Sequence, residues 1–386
     1  MRKDFLIFGS PNIEQEDIDE VVDSLKSGWI STGPKVAKFE SLFKSYIGSK
    51  HALALNSCTA GLHLSMIVAG LKPGDEVITT PMTFGATANA IIHTGAKPVF
   101  VDIRLPDMNM DPFKIEENIS PKTKAILPVH FAGRPCNMNI IKDIAQKHQL
   151  IIIEDAAHAI EAIYHGQKIG TIGDLTVFSF YVTKNLVTGE GGMITTDNDT
   201  YAQNIQTYAL HGMSSGAWKR YSDEGFKHYG IVYPGFKYNM MDIQASLGIH
   251  QLKRIESYYK RRKEIWQRYN EAFSKLPLDT PPPPEENTRH AYHLYTILLR
   301  LEELNTDRDI IQQALYQENI GTGIHFISLH LHPYYQKTFG FKKGDFPNAA
   351  YVSERTISLP FSSKLSDRDV DDVIEAVTKV LTQHKK

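Results

Sequence analysis

Cysteine is scarce in this chain: Cys58 and Cys136 are the only two among 386 residues. A disulfide framework uses more, and a chain of this length builds a core without one, so a reducing, cytoplasmic setting is expected. Long apolar runs are missing too. Nowhere do 18 consecutive apolar residues occur, so no membrane-spanning helix is expected. The opening MRKDFLIFGSP has a basic pair but too short an apolar stretch for a signal peptide. Neither sign of charge is in excess. The 42 Lys and Arg meet 44 Asp and Glu, for a formal net charge of -2, with no basic block. Nucleic acid is therefore not an expected partner. The 16 histidines fall at no metal-ligand spacing such as HExxH, so no metal is expected.

What is present reads as an ordinary globular chain, 42% hydrophobic and 22% charged. Single cores stop growing at about 250–300 residues, so a large domain over 1–250 and a smaller one over 251–386 are expected. The large domain opens with a helical arm at about 14–26. There Ile13, Ile18, Val21, Val22 and Leu25 lie on one stripe, and Gly28 stands at the C-cap position. Seven short apolar runs follow: HALALNS, EVITTP, KPVFVDI, AILPVHF, LIIIEDAA, LTVFSFY and GGMITTD. Continuous apolar strands are buried on both faces, and the spacers between the first five admit crossover helices. The pattern predicts an α/β fold with a mostly parallel seven-stranded sheet. The last two runs follow so closely that one of them can be antiparallel. A long helix over 242–273, the PPPP at 281–284 and further helices near 306–318 and 367–383 predict a smaller α+β domain.

Ligands of open α/β sheets bind beyond the carboxyl ends of the strands. Asp155 follows LIIIE, Lys184 follows VFSFY, Ser57-Cys58-Thr59-Ala60 follow HALAL, and Thr83-Phe84 follow EVITTP. Taken singly, Asp155 reads as a helix N-cap, Lys184 as a solvated loop lysine, Thr59 and Ser57 as caps and Phe84 as core. Taken together they match the needs of pyridoxal 5'-phosphate (PLP). That cofactor needs a lysine amine to form an imine with its aldehyde and a carboxylate on its pyridine nitrogen. It also needs N–H groups and hydroxyls for its phosphate, and a flat group over its ring.

The segments NSCTAGLH, PMTFGATANA, EDAAHA, FSFYVTKNLVTGEGG, GFKYNMMDIQASLG and SERTISLP resemble the signatures of the DegT-type nucleotide-sugar aminotransferases. These are PLP enzymes of fold type I, the aspartate aminotransferase-like fold. The resemblance covers about 8–380 in the family's order. SGWISTGPK, EDAAHA and NIGTGIHF resemble most the UDP-4-amino-4-deoxy-L-arabinose aminotransferases, with the 4-amino-4,6-dideoxy-hexose synthases close behind.

The resemblance implies that Lys184 is the Schiff-base lysine and moves the proton. It places Asp155 on the pyridinium nitrogen, His158 at the 3-oxygen side and Phe84 over the ring. Thr59, Ala60 and Ser179 hold the phosphate, with Asn239 crossing from the neighbouring subunit of a homodimer. Trp29, Ser31, Thr32 and His325 meet the sugar nucleotide. L-glutamate and 2-oxoglutarate are the implied amino donor and product. The implied setting is surface-polysaccharide, lipopolysaccharide (lipid A) or other glycan biosynthesis. Cys58 departs from the Gly or Ala of many relatives. A 3-keto-sugar aminotransferase, a sugar dehydratase and a non-catalytic protein of the same fold remain alternatives. The dehydratases carry histidine where this chain has Lys184, and a non-catalytic protein would not be expected to keep Lys184, Asp155 and Ser179 together.

Overall fold

The computed structural model describes residues 2–214 and 230–386. The seven apolar runs become seven strands of one sheet. They are β1 (His51–Leu55), β2 (Glu76–Thr79), β3 (Lys97–Phe100), β4 (Thr123–Ile126) and β5 (Ile151–Asp155), then two more after a short excursion. In that excursion β6 (Ile163–Tyr164) and β7 (Gln167–Lys168) form a hairpin outside the sheet. The chain then returns as β8 (Leu175–Ser179) and β9 (Gly192–Thr196). The order is β1-β9-β8-β5-β4-β2-β3. From β3 through β8 neighbours are parallel, while β9 runs antiparallel to both β8 and β1. The carboxyl ends of β1, β2, β5 and β8 therefore share one edge.

Neighbouring residues along each strand point to opposite faces, and both faces are dry. Val77, Ile153, Val177 and Ile194 pack with Leu62 and Leu64 of α3 (Cys58–Val68) and Ile205 of α6 (Asp199–Ala209). Ile78, Ile152, Phe178 and Met193 pack on the other side. Their partners are Phe39 and Phe43 of α2 (Pro34–Ile47), Ile141 of α5 (Met138–His148) and Ile249 of α7 (Asp242–Phe273). That double cover is why these strands read as unbroken apolar runs.

The arm helix α1 (Gln15–Ser27) forms where expected, and Gly28 closes it in the left-handed region at φ 78°. Its expected apolar stripe is not its buried face. Ile18 and Leu25 are 46% and 55% exposed, and Ile13 and Val22 are exposed as well. The helix instead buries Asp17 and Ser24 against α7. Arg254 donates to Asp17 at 2.7 and 2.8 Å, and the hydroxyls of Ser24 and Ser246 lie 2.7 Å apart. Paired polar groups fill this seam, so hydrophobic periodicity pointed to the wrong side.

Helix α7 links two cores. Its first half adds Ile249, Leu252 and Ile255 to the large-sheet core, and its second half adds Ile265, Trp266, Tyr269 and Phe273 to the smaller one. The division expected at 250/251 thus falls inside one continuous helix. Beyond it come β10 (Leu278–Asp279), β11 (Thr288–Arg289), β12 (Tyr295–Leu299) and β13 (Thr356–Leu359). The prolines at 281–284 lie between β10 and β11 with no regular structure. Strands β10, β12 and β13 form a small sheet. It is packed by α8 (Arg308–Gln317) and α11 (Asp367–Gln383), with α9 (Pro333–Phe339) and α10 (Pro347–Arg355) between them in sequence. Residue Leu6 pairs with Ile320, so the start of the described chain joins this smaller unit. Among the described residues no helix is long and apolar enough to cross a membrane.

Candidate active site

Asp155 ends β5 and is buried. No helix follows it directly, so it caps none; its carboxylate takes two other donors. Thr87 Oγ1 donates to Oδ2 at 2.8 Å, and the Ala157 N–H donates to Oδ1 at 3.1 Å. The hydroxyl of Thr83 lies 2.7 Å from that of Thr87. Since the Thr87 proton goes to the carboxylate, Thr83 donates to Thr87. Burial pushes the Asp155 carboxyl above its ordinary value, while Thr87, Ala157 and the charge of Lys184 pull it back.

Lys184 sits in the turn after β8, its N–H bonded to Tyr181 O at 2.8 Å. Burial lowers its amine to about 8, partly countered by Cys58 and Asp155. Burial in low dielectric disfavours the charged amine, which is what a lysine acting as nucleophile or base requires.

Helix α3 begins beside these two. Of the two expected caps, Ser57 takes the role and Thr59 does not: Ser57 Oγ accepts from the Ala60 N–H at 3.1 Å. Cys58 and Thr59 supply first-turn N–H groups that no intrahelical carbonyl reaches. Two glycines let this helix lie close on the sheet. A Cβ at Gly192 would stand 2.6 Å from Cys58 N, and one at Gly61 would stand 2.5 Å from Val177 Cγ1.

A cavity of about 500 Å³ gathers Ser57, Cys58, Thr59, Phe84, Thr87, Asp155, His158, Ser179, Lys184, His325 and Phe326. Phe84 is the residue before α4 (Gly85–His93), 68% exposed at the mouth, 6.4 Å from Phe326. His158 is buried and its Nδ1 has no partner among the described residues. Its ring lies 4.4 Å from that of His293 and is stacked at 15° on Phe326. Burial and the nearby Lys184, His293 and His325 keep it neutral. His325 bonds Ser358 through Nδ1 at 2.8 Å, and burial lowers it to about 4.

Of the residues expected at the site, Thr59, Phe84, Asp155, His158, Ser179, Lys184 and His325 meet in this cavity. Ala60 is buried just behind it, its N–H taken by Ser57. Trp29, Ser31, Thr32 and Asn239 do not reach it. They form a second group: Asn239 Nδ2 donates to Thr32 Oγ1 at 2.6 Å, and Ser31 O accepts from the Asp242 N–H at 2.9 Å. Trp29 is half-exposed. Thr32 and Asn239 line a separate cavity of about 250 Å³ with Glu40, whose carboxyl burial raises to about 7. Asn239 Oδ1 is buried there without a partner among the described residues. Sequence reasoning missed Thr87 and His293. The signal for Thr87 was its spacing of four from Thr83, which puts both hydroxyls on one side of a helix start.

The set fits PLP. An amine lowered by burial, a buried carboxylate, first-turn N–H groups with hydroxyls, and an unpartnered histidine nitrogen all face one cavity of small-molecule size.

Comparison with known proteins agrees. The model of the DegT/DnrJ/EryC1/StrS aminotransferase family matches residues 11–378. An uncharacterized protein of Methanocaldococcus jannaschii is 55% identical over the whole of both chains. The spore coat polysaccharide biosynthesis protein SpsC of Bacillus subtilis is 52% identical over 98% of each. The PMP-form structure of the putative sugar aminotransferase Spr1654 from Streptococcus pneumoniae superposes with a TM-score of 0.92. It is 36% identical, and the match covers 98% of this chain and 99% of that one. This chain belongs to the DegT/DnrJ/EryC1/StrS family, the PLP-dependent sugar aminotransferases of fold type I.

Proposed function

We propose that this enzyme moves an amino group from L-glutamate to C-4 of a nucleotide-linked 4-keto sugar. The product is a 4-amino sugar nucleotide of the UDP-4-amino-4-deoxy-L-arabinose or 4-amino-4,6-dideoxy-hexose type. It feeds surface polysaccharide, lipid A or another glycan, in the cytoplasm. The reading is carried by Lys184 and Asp155 facing one cavity, the first held toward its neutral form by burial. The C-4 position is supported by SGWISTGPK and NIGTGIHF. A polysaccharide destination is supported by the likeness to the spore coat polysaccharide protein.

Bound PLP supplies an electron sink for the carbanion formed at the amino-acid Cα. The residues do the rest. Lys184 Nζ, shifted toward its neutral form by burial, takes the proton from Cα and returns it on the other side of the exchange. Asp155 offers its carboxylate to the pyridine nitrogen, with the hydrogen bonds from Thr87 and Ala157 opposing the upward push of burial. Thr59 and Ser179 would hold the phosphate, with Ala60 behind them, its N–H taken by Ser57, and the partner subunit's Asn239 would complete that group. His158 meets the 3-oxygen, and Phe84 covers the ring. Trp29, Ser31, Thr32 and His325 meet the sugar nucleotide. A homodimer accounts for the two separate groups of residues in one chain: the Trp29–Thr32 and Asn239 group serves the neighbouring site. The unpartnered Oδ1 of Asn239 supports that division.

The test is a panel of nucleotide 4-keto and 3-keto sugars, assayed with glutamate for amine product. The expected result is amination at C-4 with release of 2-oxoglutarate. Amination of 3-keto sugars alone would overturn the regiochemistry, and failure of the glutamate half-reaction would overturn the transamination.

A further inference from the structure

Behind Lys184 a line of buried and half-buried polar residues runs from α7 to the site. Arg262 of α7 pairs with Glu161, which lies between β5 and β6, and both are almost wholly buried. The other Glu161 oxygen accepts from Asn185 Nδ2 at 2.8 Å, and the same amide nitrogen donates to Ala291 O at 3.1 Å. Asn185 Oδ1 lies 3.1 Å from His293 Nδ1. The His293 ring in turn rests on His158, with centroids 4.4 Å apart and planes tilted by 35°. The line thus ends on the peptide neighbour of Lys184 and on the His158 ring.

The chemistry of the partners fixes every hydrogen. A carboxylate and a carbonyl only accept, so both Asn185 N–H groups are used. Asn185 Oδ1 must then accept, and His293 carries its hydrogen on Nδ1. Burial keeps His293 neutral, and the nearby charges of Lys184 and Arg262 act in the same direction. A buried Arg–Glu pair is weak as a stabilising device, since apolar replacements of the same volume are often as stable. Its use here is better sought in orientation.

We propose that Asn185 and His293 are positioning residues anchored by the Glu161–Arg262 pair. Asn185 fixes the segment that carries Lys184, and His293 fixes the plane of the His158 ring. This rests on the roles proposed above for Lys184 and His158.

The test uses the PLP-loaded enzyme and three readouts besides turnover: the pH titration of the bound cofactor's absorbance band, its dissociation constant, and Tm. Two single variants are compared. Asn185→Ala removes the central amide, and His293→Phe keeps a flat ring but loses the Nδ1–H. Each is expected to lower kcat about 10- to 100-fold while leaving KM for the sugar nucleotide nearly unchanged. Each is also expected to move the apparent pKa of the absorbance band by about one unit. In a His158→Gln background, His293→Phe is expected to move that pKa no further, because its effect passes through His158. An unmoved pKa overturns the proposal, and so do additive effects of His158→Gln and His293→Phe. Should Asn185→Ala fail to fold, His293→Phe carries the test alone. A wild-type protein that takes up no cofactor on Lys184 would remove the proposed function itself, an outcome separate from these.

Discussion

Replacing Thr87 by valine removes one hydroxyl from the buried environment of Asp155 and keeps the side-chain shape. That hydroxyl donates to Asp155 Oδ2 at 2.8 Å. A hydrogen bond to a charged group contributes about 1.5–3 kcal/mol, and one pKa unit corresponds to about 1.36 kcal/mol. Its loss should therefore raise the Asp155 carboxyl by roughly 1–2 units. Burial already pushes this group upward, and Thr87 is the first of the groups that oppose it. The sign follows from the proposed role, in which Asp155 acts as a carboxylate, the form present above its pKa. Raising that pKa moves the acid limb of activity to higher pH. The assay is kcat/KM against pH for Thr87→Val beside Thr87→Ser, which keeps the hydroxyl. The valine variant should lose activity at the acid end first, and the serine variant should follow the wild type. A valine profile that superimposes on the wild type would refute the assignment of Asp155.

Further outcomes concern the lysine, the phosphate end and the subunit arrangement. In the apoprotein only neutral Lys184 captures PLP, so the capture rate should rise with pH and level off above about 8. A rate still climbing toward the ordinary lysine value of about 10.4 would contradict the burial argument. Gly192→Ala would press a Cβ to 2.6 Å from Cys58 N and Ser57 C, which are backbone and cannot yield cheaply. Overpacking of this kind costs about 1–3 kcal/mol, so a lower Tm and roughly tenfold weaker PLP binding are expected; unchanged binding would separate the α3 start from the phosphate. Mixing Lys184→Ala with Asn239→Ala subunits should restore activity, because the hybrid holds one intact site. With random pairing that is about a quarter of all sites. No recovery after verified subunit exchange would mean that Asn239 serves its own chain.

The sheet was legible because its strands are covered on both faces. Val177 and Phe178, or Ile152 and Ile153, are neighbours that both enter cores, which leaves an unbroken apolar run in the sequence. Asp155 and Lys184 were legible because each follows such a run at the same edge. The buried face of α1 was not. Its seam is built from Asp17, Arg254, Ser24 and Ser246, polar residues whose pairing lies 222 to 237 positions away in the chain. Thr87 and His293 were missed for the same reason. One hydroxyl and one imidazole acquire meaning only when β5 and the stretch before β12 bring Asp155 and His158 to them. Local pattern marks which face is apolar; it does not mark which buried polar groups will meet.

The central claim is that Lys184 holds PLP in an amino-transferring site. Purified protein should be yellow, and borohydride reduction should bleach it and leave the cofactor on the peptide that contains Lys184 and on no other. Addition of L-glutamate before reduction should convert the colour and protect that peptide from labelling. A colourless protein that takes up no PLP, or a label mapped to another lysine, would contradict the account.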